Sequence, residues 1–169
     1  MIRIAIVASL LFLLSGCSTK SSKQHFQPKK KQSTLKAKPS YKPQKKNWIT
    51  TALYHEYIKW YKTPYKFGGI NTNGLDCSAL IQIVYRDAFS IHLPRTTKDQ
   101  VKKGYLIKKN STKEGDLVFF KTGFKTRHAG IIIEQDKFMH TSTKNGVSVS
   151  SLSNPYWRSK YWQSRRILP

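Results

Sequence analysis

Asp76-Cys77-Ser78-Ala79-Leu80-Ile81-Gln82-Ile83-Val84-Tyr85-Arg86-Asp87-Ala88-Phe89 is the stretch on which the fold turns. Leu80, Ile83, Val84 and Ala88 recur at i, i+3, i+4 and i+8, the spacing of one helix face. The stretch predicts an amphipathic helix with Cys77 in its first turn. Upstream, a Gly/Asn loop from Gly69 to Gly74 separates it from another helix, predicted over 48–61. There Ile49, Leu53, Tyr57 and Trp60 fall near one face, and Pro64 with Gly68-Gly69 breaks the pattern. Downstream, Thr96 as cap, Asp99 three residues on and Gly104 as stop predict a short third helix over 96–103. Beyond Gly115-Asp116 the pattern becomes strand-like. Strands are predicted over 117–120, 127–133, 138–143, 146–150 and 164–168, with a polar turn at Glu134-Gln135-Asp136-Lys137. Helices first and strands after predict an α+β domain, with N-terminal helices packed on an antiparallel sheet.

That domain is expected to fill residues 48–169, a length sufficient for one core without disulfides. What precedes it has another character. Met1-Ile2-Arg3 is a short cationic start, and Ile4 to Leu14 is an apolar run broken only by Ala5, Ala8 and Ser9. A bilayer span needs roughly 20 apolar residues. The run is too short for one and has the length of a signal-peptide core. It ends in Leu14-Ser15-Gly16-Cys17, which resembles the bacterial lipobox. Residues 1–16 are thus expected to be a lipoprotein signal peptide, with Cys17 lipidated. Ser18 after that cysteine points to the outer membrane, so the expected location is the cell envelope at its periplasmic face. The bland alternative is an ordinary signal peptide with a chance cysteine.

The full chain has 169 residues and a formal net charge of +23, with 31 Lys+Arg against 8 Asp+Glu. Between Ser18 and Asn47 stand ten lysines, three prolines and no acid. Phe26, Leu35, Ala37 and Tyr41 are the sparse apolar residues there. Such a segment buries too little apolar surface to offset its ordering entropy. Residues 17–47 are expected to be a disordered basic tether reaching at most roughly 100 Å. In an exported protein the charge does not call for nucleic acid. The anionic partners at hand are lipid head groups, lipopolysaccharide and wall carboxylates, and the other reading is a merely solvated leash. Two cysteines exclude a disulfide-rich miniprotein, and no CxxC pair suggests zinc.

With Cys17 assigned to the anchor, Cys77 is left as a lone thiol in an oxidising compartment. It is either a buried structural residue or one that is used. A helix start favours use, since unpaired N–H groups and partial positive charge there lower a thiol's pKa. The same groups would stabilise an oxyanion beside the sulfur. A nucleophile wants a base, and the base an orienter. His25 lies in the tether, His55 mid-helix and His92 in a loop, where surface or core-edge roles suffice. His128 and His140 lie on adjacent predicted strands. Placement on one face requires an odd number of loop residues, and a three-residue loop centred on Glu134 would set them directly opposite. Spacing leaves the loop length open. Cross-strand packing, or a metal site with a third ligand elsewhere, are the other readings of the pair.

Thr63-Pro64-Tyr65-Lys66-Phe67-Gly68-Gly69, Gly74-Leu75-Asp76-Cys77-Ser78, Leu93-Pro94-Arg95, Gly115-Asp116-Leu117-Val118-Phe119-Phe120, Arg127-His128-Ala129-Gly130-Ile131 and Phe138-Met139-His140-Thr141-Ser142-Thr143 follow one another along the chain. Together these motifs resemble the NlpC family of papain-like cell-wall cysteine peptidases. The resemblance covers about residues 48–168 and implies a papain-like fold. It implies Cys77 as nucleophile, His128 as base, His140 as the residue orienting the base, and Tyr65 as a hydroxyl near the reaction centre. Phe67, Ala79, Ala129 and Thr141 depart from the family's usual residues without removing a catalytic group. The implied activity is hydrolysis of an amide bond in peptidoglycan stem peptides or cross-links. The implied enzyme needs no cofactor or metal and is expected to be a monomer. The rival expectation is a non-enzymatic wall-binding lipoprotein built on an inactive peptidase fold.

Overall fold

The computed structural model describes residues 47–169. The expected signal peptide, Cys17 and the basic tether lie outside them. Three helices lead the domain, each overlapping its predicted stretch: α1 over Trp48–Trp60, α2 over Cys77–Phe89 and the short α3 over Thr97–Gln100. A two-residue hairpin, β1 (Ile70–Asn71) with β2 (Gly74–Leu75), fills the loop before α2. Six further strands follow: β3 (Tyr105–Ile107), β4 (Leu117–Lys121), β5 (Arg127–Glu134), β6 (Lys137–Ser142), β7 (Gly146–Ser151) and β8 (Tyr161–Arg166). A six-residue helix, α4 (Pro155–Lys160), precedes β8. The six strands form one antiparallel sheet in the order β3-β8-β4-β5-β6-β7. The α+β architecture read from the sequence is therefore the one observed.

Several boundaries differ from expectation. The last strand spans Tyr161–Arg166, not 164–168, because β8 must reach along both β3 and β4. Its end is fixed by Arg166, whose Nε and Nη2 each donate to the Asp116 carboxylate at 2.8 Å. Leu168 lies beyond the strand and is buried in the core. The third helix is a single turn. Thr96 caps it as predicted, accepting from the Asp99 N–H, but the chain turns off after Gln100. Gln100 is fully buried and donates to the Ser78 and Pro94 carbonyls, so it ties the start of α2 to this turn. The strand β3, the hairpin and α4 carried too few residues to show a period.

Both faces of the central strands are covered, which explains the unbroken apolar runs at 117–120 and 131–133. One face carries Leu117, Phe119, Ala129, Ile131, Ile133, Met139 and Val147 against Leu53 and Tyr57 of α1 and Leu80, Ile81 and Val84 of α2. The other carries Val118, Phe120, Ile132 and Phe138 under Leu152, Trp157 and Tyr161.

The β5–β6 hairpin departs from the expected three-residue loop. Glu134 pairs with Lys137 across a two-residue turn, Gln135-Asp136, in which Asp136 takes φ 63°. The register then shifts, so that Ile132 pairs with Phe138 and Ile131 with Met139. Ile133 is the extra residue of a β-bulge. Continued along the strands, this register puts His140 opposite Gly130, with His128 two residues further along β5. The two histidines are diagonal neighbours on one face rather than directly opposite. An unbulged two-residue turn would have put them on opposite faces.

Gly130 permits this approach. A Cβ there would stand 2.6 Å from Phe138 Cδ2, 2.7 Å from the Met139 carbonyl oxygen and 3.3 Å from His140 Cβ. Gly130→Ala should therefore force β6 outward and destabilise the domain by about 1–3 kcal/mol. Urea denaturation of the two proteins measures this, and equal midpoints would show that β6 yields freely.

Candidate active site

The pairing of β5 with β6 ends at Ile131 and Met139. Past that point β5 stays bonded to β4, and β6 to β7. The paired ladder stops along this seam, and Cys77, the first residue of α2, borders the same cleft as His128 and His140. Asp76 caps the helix, accepting from the Ala79 N–H at 2.7 Å and the Ser78 hydroxyl at 2.9 Å. Arg95 grips the same carboxylate at 2.7 and 3.0 Å. Burial works against ionisation of Asp76, but the Arg95, Ala79 and Ser78 bonds outweigh it and hold the group below the usual carboxylate range. Cys77 is a free, buried cysteine. Its sulfur lies 3.7 Å from the Thr97 hydroxyl and accepts from the backbone N–H groups of Ala129 and Ser78.

One expectation fails here. A helix start was to lower the thiol's pKa, yet the Cys77 thiol is held above its ordinary value. Desolvation is the largest cause and the neighbouring Asp76 charge adds to it, while the Thr97, Ala129 and Ser78 bonds pull the other way. The helix end contributes less than burial removes, and its cap is itself an anion.

His128 and His140 meet on the far side of the seam. His128 Nε2 and His140 Nδ1 are 3.0 Å apart, with the rings at 90°. His140 Nε2 lies 2.8 Å from the Ser150 hydroxyl on β7. Trp157 of α4 lies under the pair, stacked on His128 at 5.2 Å and 24°, and edge-on to His140 at 4.9 Å. Phe120 and Phe138 complete the aromatic wall. Burial among these rings depresses both imidazoles, His128 to about 4 and His140 to about 3, with the neighbouring His128 adding to the shift of His140. Both histidines are therefore neutral at neutral pH.

A cleft of about 350 Å³ joins Cys77, His128, His140 and Trp157. A second lobe of about 570 Å³ opens on the other side of Cys77, along Gly68, Ser78 and Arg95. Tyr65, bridged to Leu75 before α2, borders both lobes. Its hydroxyl is pushed up by burial first, and by the nearby Cys77 and Asp76. The structure thus assembles Tyr65, Cys77, His128 and His140 around one cleft; Cys17 lies outside the described residues. His55 is an exposed neighbour of Glu56. Among the described residues, no group of three or more His, Cys, Asp or Glu side chains is placed to hold a metal. Ser150 and Trp157 were missed. Ser148 and Ser150 alternate along β7 with nothing to single out one, and the sequence does not show that α4 folds back over the sheet.

The family model for NlpC/P60 matches residues 62–166. The chain belongs to the NlpC/P60 family. It is 43% identical over 121 residues to the probable endopeptidase NlpC of Escherichia coli K12, covering 70% of this chain and 79% of that one. It is 37% identical over 120 residues to the murein DD-endopeptidase MepS/murein LD-carboxypeptidase of the same organism, covering 71% of this chain and 64% of the relative. Among solved structures, a lipoprotein-like NLP/P60 protein from Staphylococcus aureus superposes with a TM-score of 0.66 at 30% identity. The match takes in 75% of this chain but only 44% of that larger one.

The depressed imidazoles set a pH dependence of stability. Unfolded, each histidine titrates near 6.5, so the unfolded chain binds more protons below that value. This part of the stability is fully present above about 6.5 and is lost as pH falls towards the folded values. The melting temperature should decline between about pH 6.5 and 4.5, above the range where most carboxylates titrate. His140→Asn should flatten the decline. A wild-type melting temperature unchanged over that interval would contradict the burial of neutral imidazoles.

Proposed function

We propose that the chain is a lipid-anchored peptidoglycan endopeptidase that hydrolyses an amide bond of the stem peptides or their cross-links by a Cys-His-His mechanism. The observation that carries it is the chain of contacts from Ser150 through His140 to His128 beside a lone buried thiol, all lining one cleft. The murein endopeptidase among its relatives supports the substrate. Residues 1–16 act as the signal peptide, Cys17 as the lipid attachment point and 17–47 as the basic tether. Residues 48–169 are the catalytic domain, held at the periplasmic face of the outer membrane.

His128 commits Nε2 to His140, so the nitrogen left for the thiol is Nδ1. Thiol and imidazole rest neutral. As the sulfur attacks the carbonyl carbon, the Cys77 proton passes to His128 Nδ1. The N–H groups at the start of α2 and the Tyr65 hydroxyl hold the oxyanion. His128 Nδ1–H then protonates the leaving amine, and the C–N bond breaks to leave a thioester. Water, giving its proton to the same nitrogen, attacks the thioester carbonyl. The sulfur leaves as the thiol and the acid is released.

The imidazolium formed in between carries protons on both nitrogens. Its Nε2–H must donate to His140 Nδ1, which puts the His140 proton on Nε2, and Ser150 Oγ is then the acceptor. Ser150→Ala leaves that N–H buried without a partner, a loss of roughly tenfold in kcat. Ser150→Thr keeps the acceptor and most of the rate. Equal rates in all three proteins would remove Ser150 from the chain.

Digestion of purified sacculi by the full chain, with mass spectrometry of the products, tests the activity. Cys77→Ala and Cys77→Ser should release nothing while remaining folded, and His128→Ala should cost more than His140→Asn. Release by Cys77→Ala at the wild-type rate would end the reading. No release by wild type, with binding retained, would leave a wall-binding lipoprotein. The acid limb of kcat/KM should lie near the His128 value of about 4, well below the ordinary 6.5.

A further inference from the structure

Arg127 and Lys121 face each other as a directly opposed pair across β4 and β5. Like charges in that position destabilise a sheet. No carboxylate relieves them. All eight acids of the chain lie within the described residues, and none of their ion pairs involves Lys121, Lys125 or Arg127. Instead both cations sit on one indole. Lys121 Nζ is 4.9 Å from the Trp162 ring centroid and the Arg127 guanidinium 5.4 Å. The fold has placed two cations together without an anion, next to the reactive cleft.

Arg127 borders both lobes of that cleft, together with Cys77, Tyr65 and Thr126, and Lys125 borders the second lobe. The one anion in the lobe, Asp76, is held by Arg95. Only Nη1 of Arg127 is engaged, on the Thr126 and Gly123 carbonyls at 3.2 and 3.4 Å. Among the described residues Nε and Nη2 bond to nothing. That edge of a guanidinium presents two parallel N–H groups, the geometry that a carboxylate accepts in bidentate fashion. Its carbonyl bonds and the Trp162 face fix the plane beforehand, which reduces the ordering cost of binding.

We infer that Arg127, backed by Lys121 and Trp162, is the residue that reads a free carboxylate on the substrate beside the amide to be cut. The inference rests on the cleft being a stem-peptide site for the identity of its ligand. It adds that the preferred stem peptide carries an unamidated carboxylate there, and that amidation protects the bond.

The test separates recognition from catalysis by measuring calorimetric affinity on the full chain carrying Cys77→Ala. The probes are two stem-peptide muropeptides, identical except that the carboxylates of one are carboxamides. The free acid should bind about 10–100-fold more tightly, the range for hydrogen bonds to a charged group. Adding Arg127→Gln should bring the free acid to the level of the amide and leave the amide unchanged. Its melting temperature should stay level or rise, since a like-charge contact is removed; a merely structural arginine would lower it. Equal binding of the two probes, or a preference that survives Arg127→Gln, would overturn the assignment. Failure of the wild-type chain to cleave muropeptides that its Cys77→Ala variant discriminates would sink the endopeptidase reading and leave the carboxylate site standing.

Discussion

The domain depends on one extra residue in one strand. Ile133 bulges out of the β5–β6 ladder and converts an even turn into an odd register. That parity decides which face of the sheet His140 occupies, since alternate residues of a strand point to opposite sides. With the bulge, His128 and His140 share the face covered by Trp157. Without it their imidazoles stand on opposite sides of the sheet and the 3.0 Å contact is lost. The narrow approach of β6 at Gly130 follows from the same register.

Burial shapes the chemistry as strongly as position does. The thiol and both imidazoles sit in surroundings that disfavour charge, and each is shifted towards its neutral form. A helix N-terminus, an Ala129 N–H and a threonine hydroxyl all favour the thiolate, but desolvation outweighs them. In the proposed mechanism, charge separation arises only as the carbonyl is attacked. The donors then stabilise the transition state in a low-dielectric setting, where they need no reorganisation.

Much of this was legible in the sequence, for physical reasons that can be named. The stripe of Leu80, Ile83 and Val84 marked α2 because a helix packed on one side must repeat its apolar residues. Cys77 stood out because it had no partner and opened that helix. The motif series led to the family because its motifs stand in the family's order and at the family's kind of spacing. The relation of His128 to His140 stayed open, since one bulge changes parity without leaving a mark in composition. Ser150 is one serine among several on β7. Trp157 acts through α4, whose fold-back depends on where β8 inserts. The thiol's pKa was misjudged because a helix end is visible in sequence and the dielectric around it is not.

The central claim is that the reactive pair rests neutral and is set by burial. The most direct measurement is the pH titration of thiolate ultraviolet absorbance, taken as the difference between the wild-type chain and its Cys77→Ser variant. The account predicts no thiolate step until the pH passes the ordinary thiol value of 9.0, because the Cys77 pKa is raised. A thiolate appearing in acid, between the His128 value of about 4 and neutrality, would reveal a standing thiolate–imidazolium pair and contradict it.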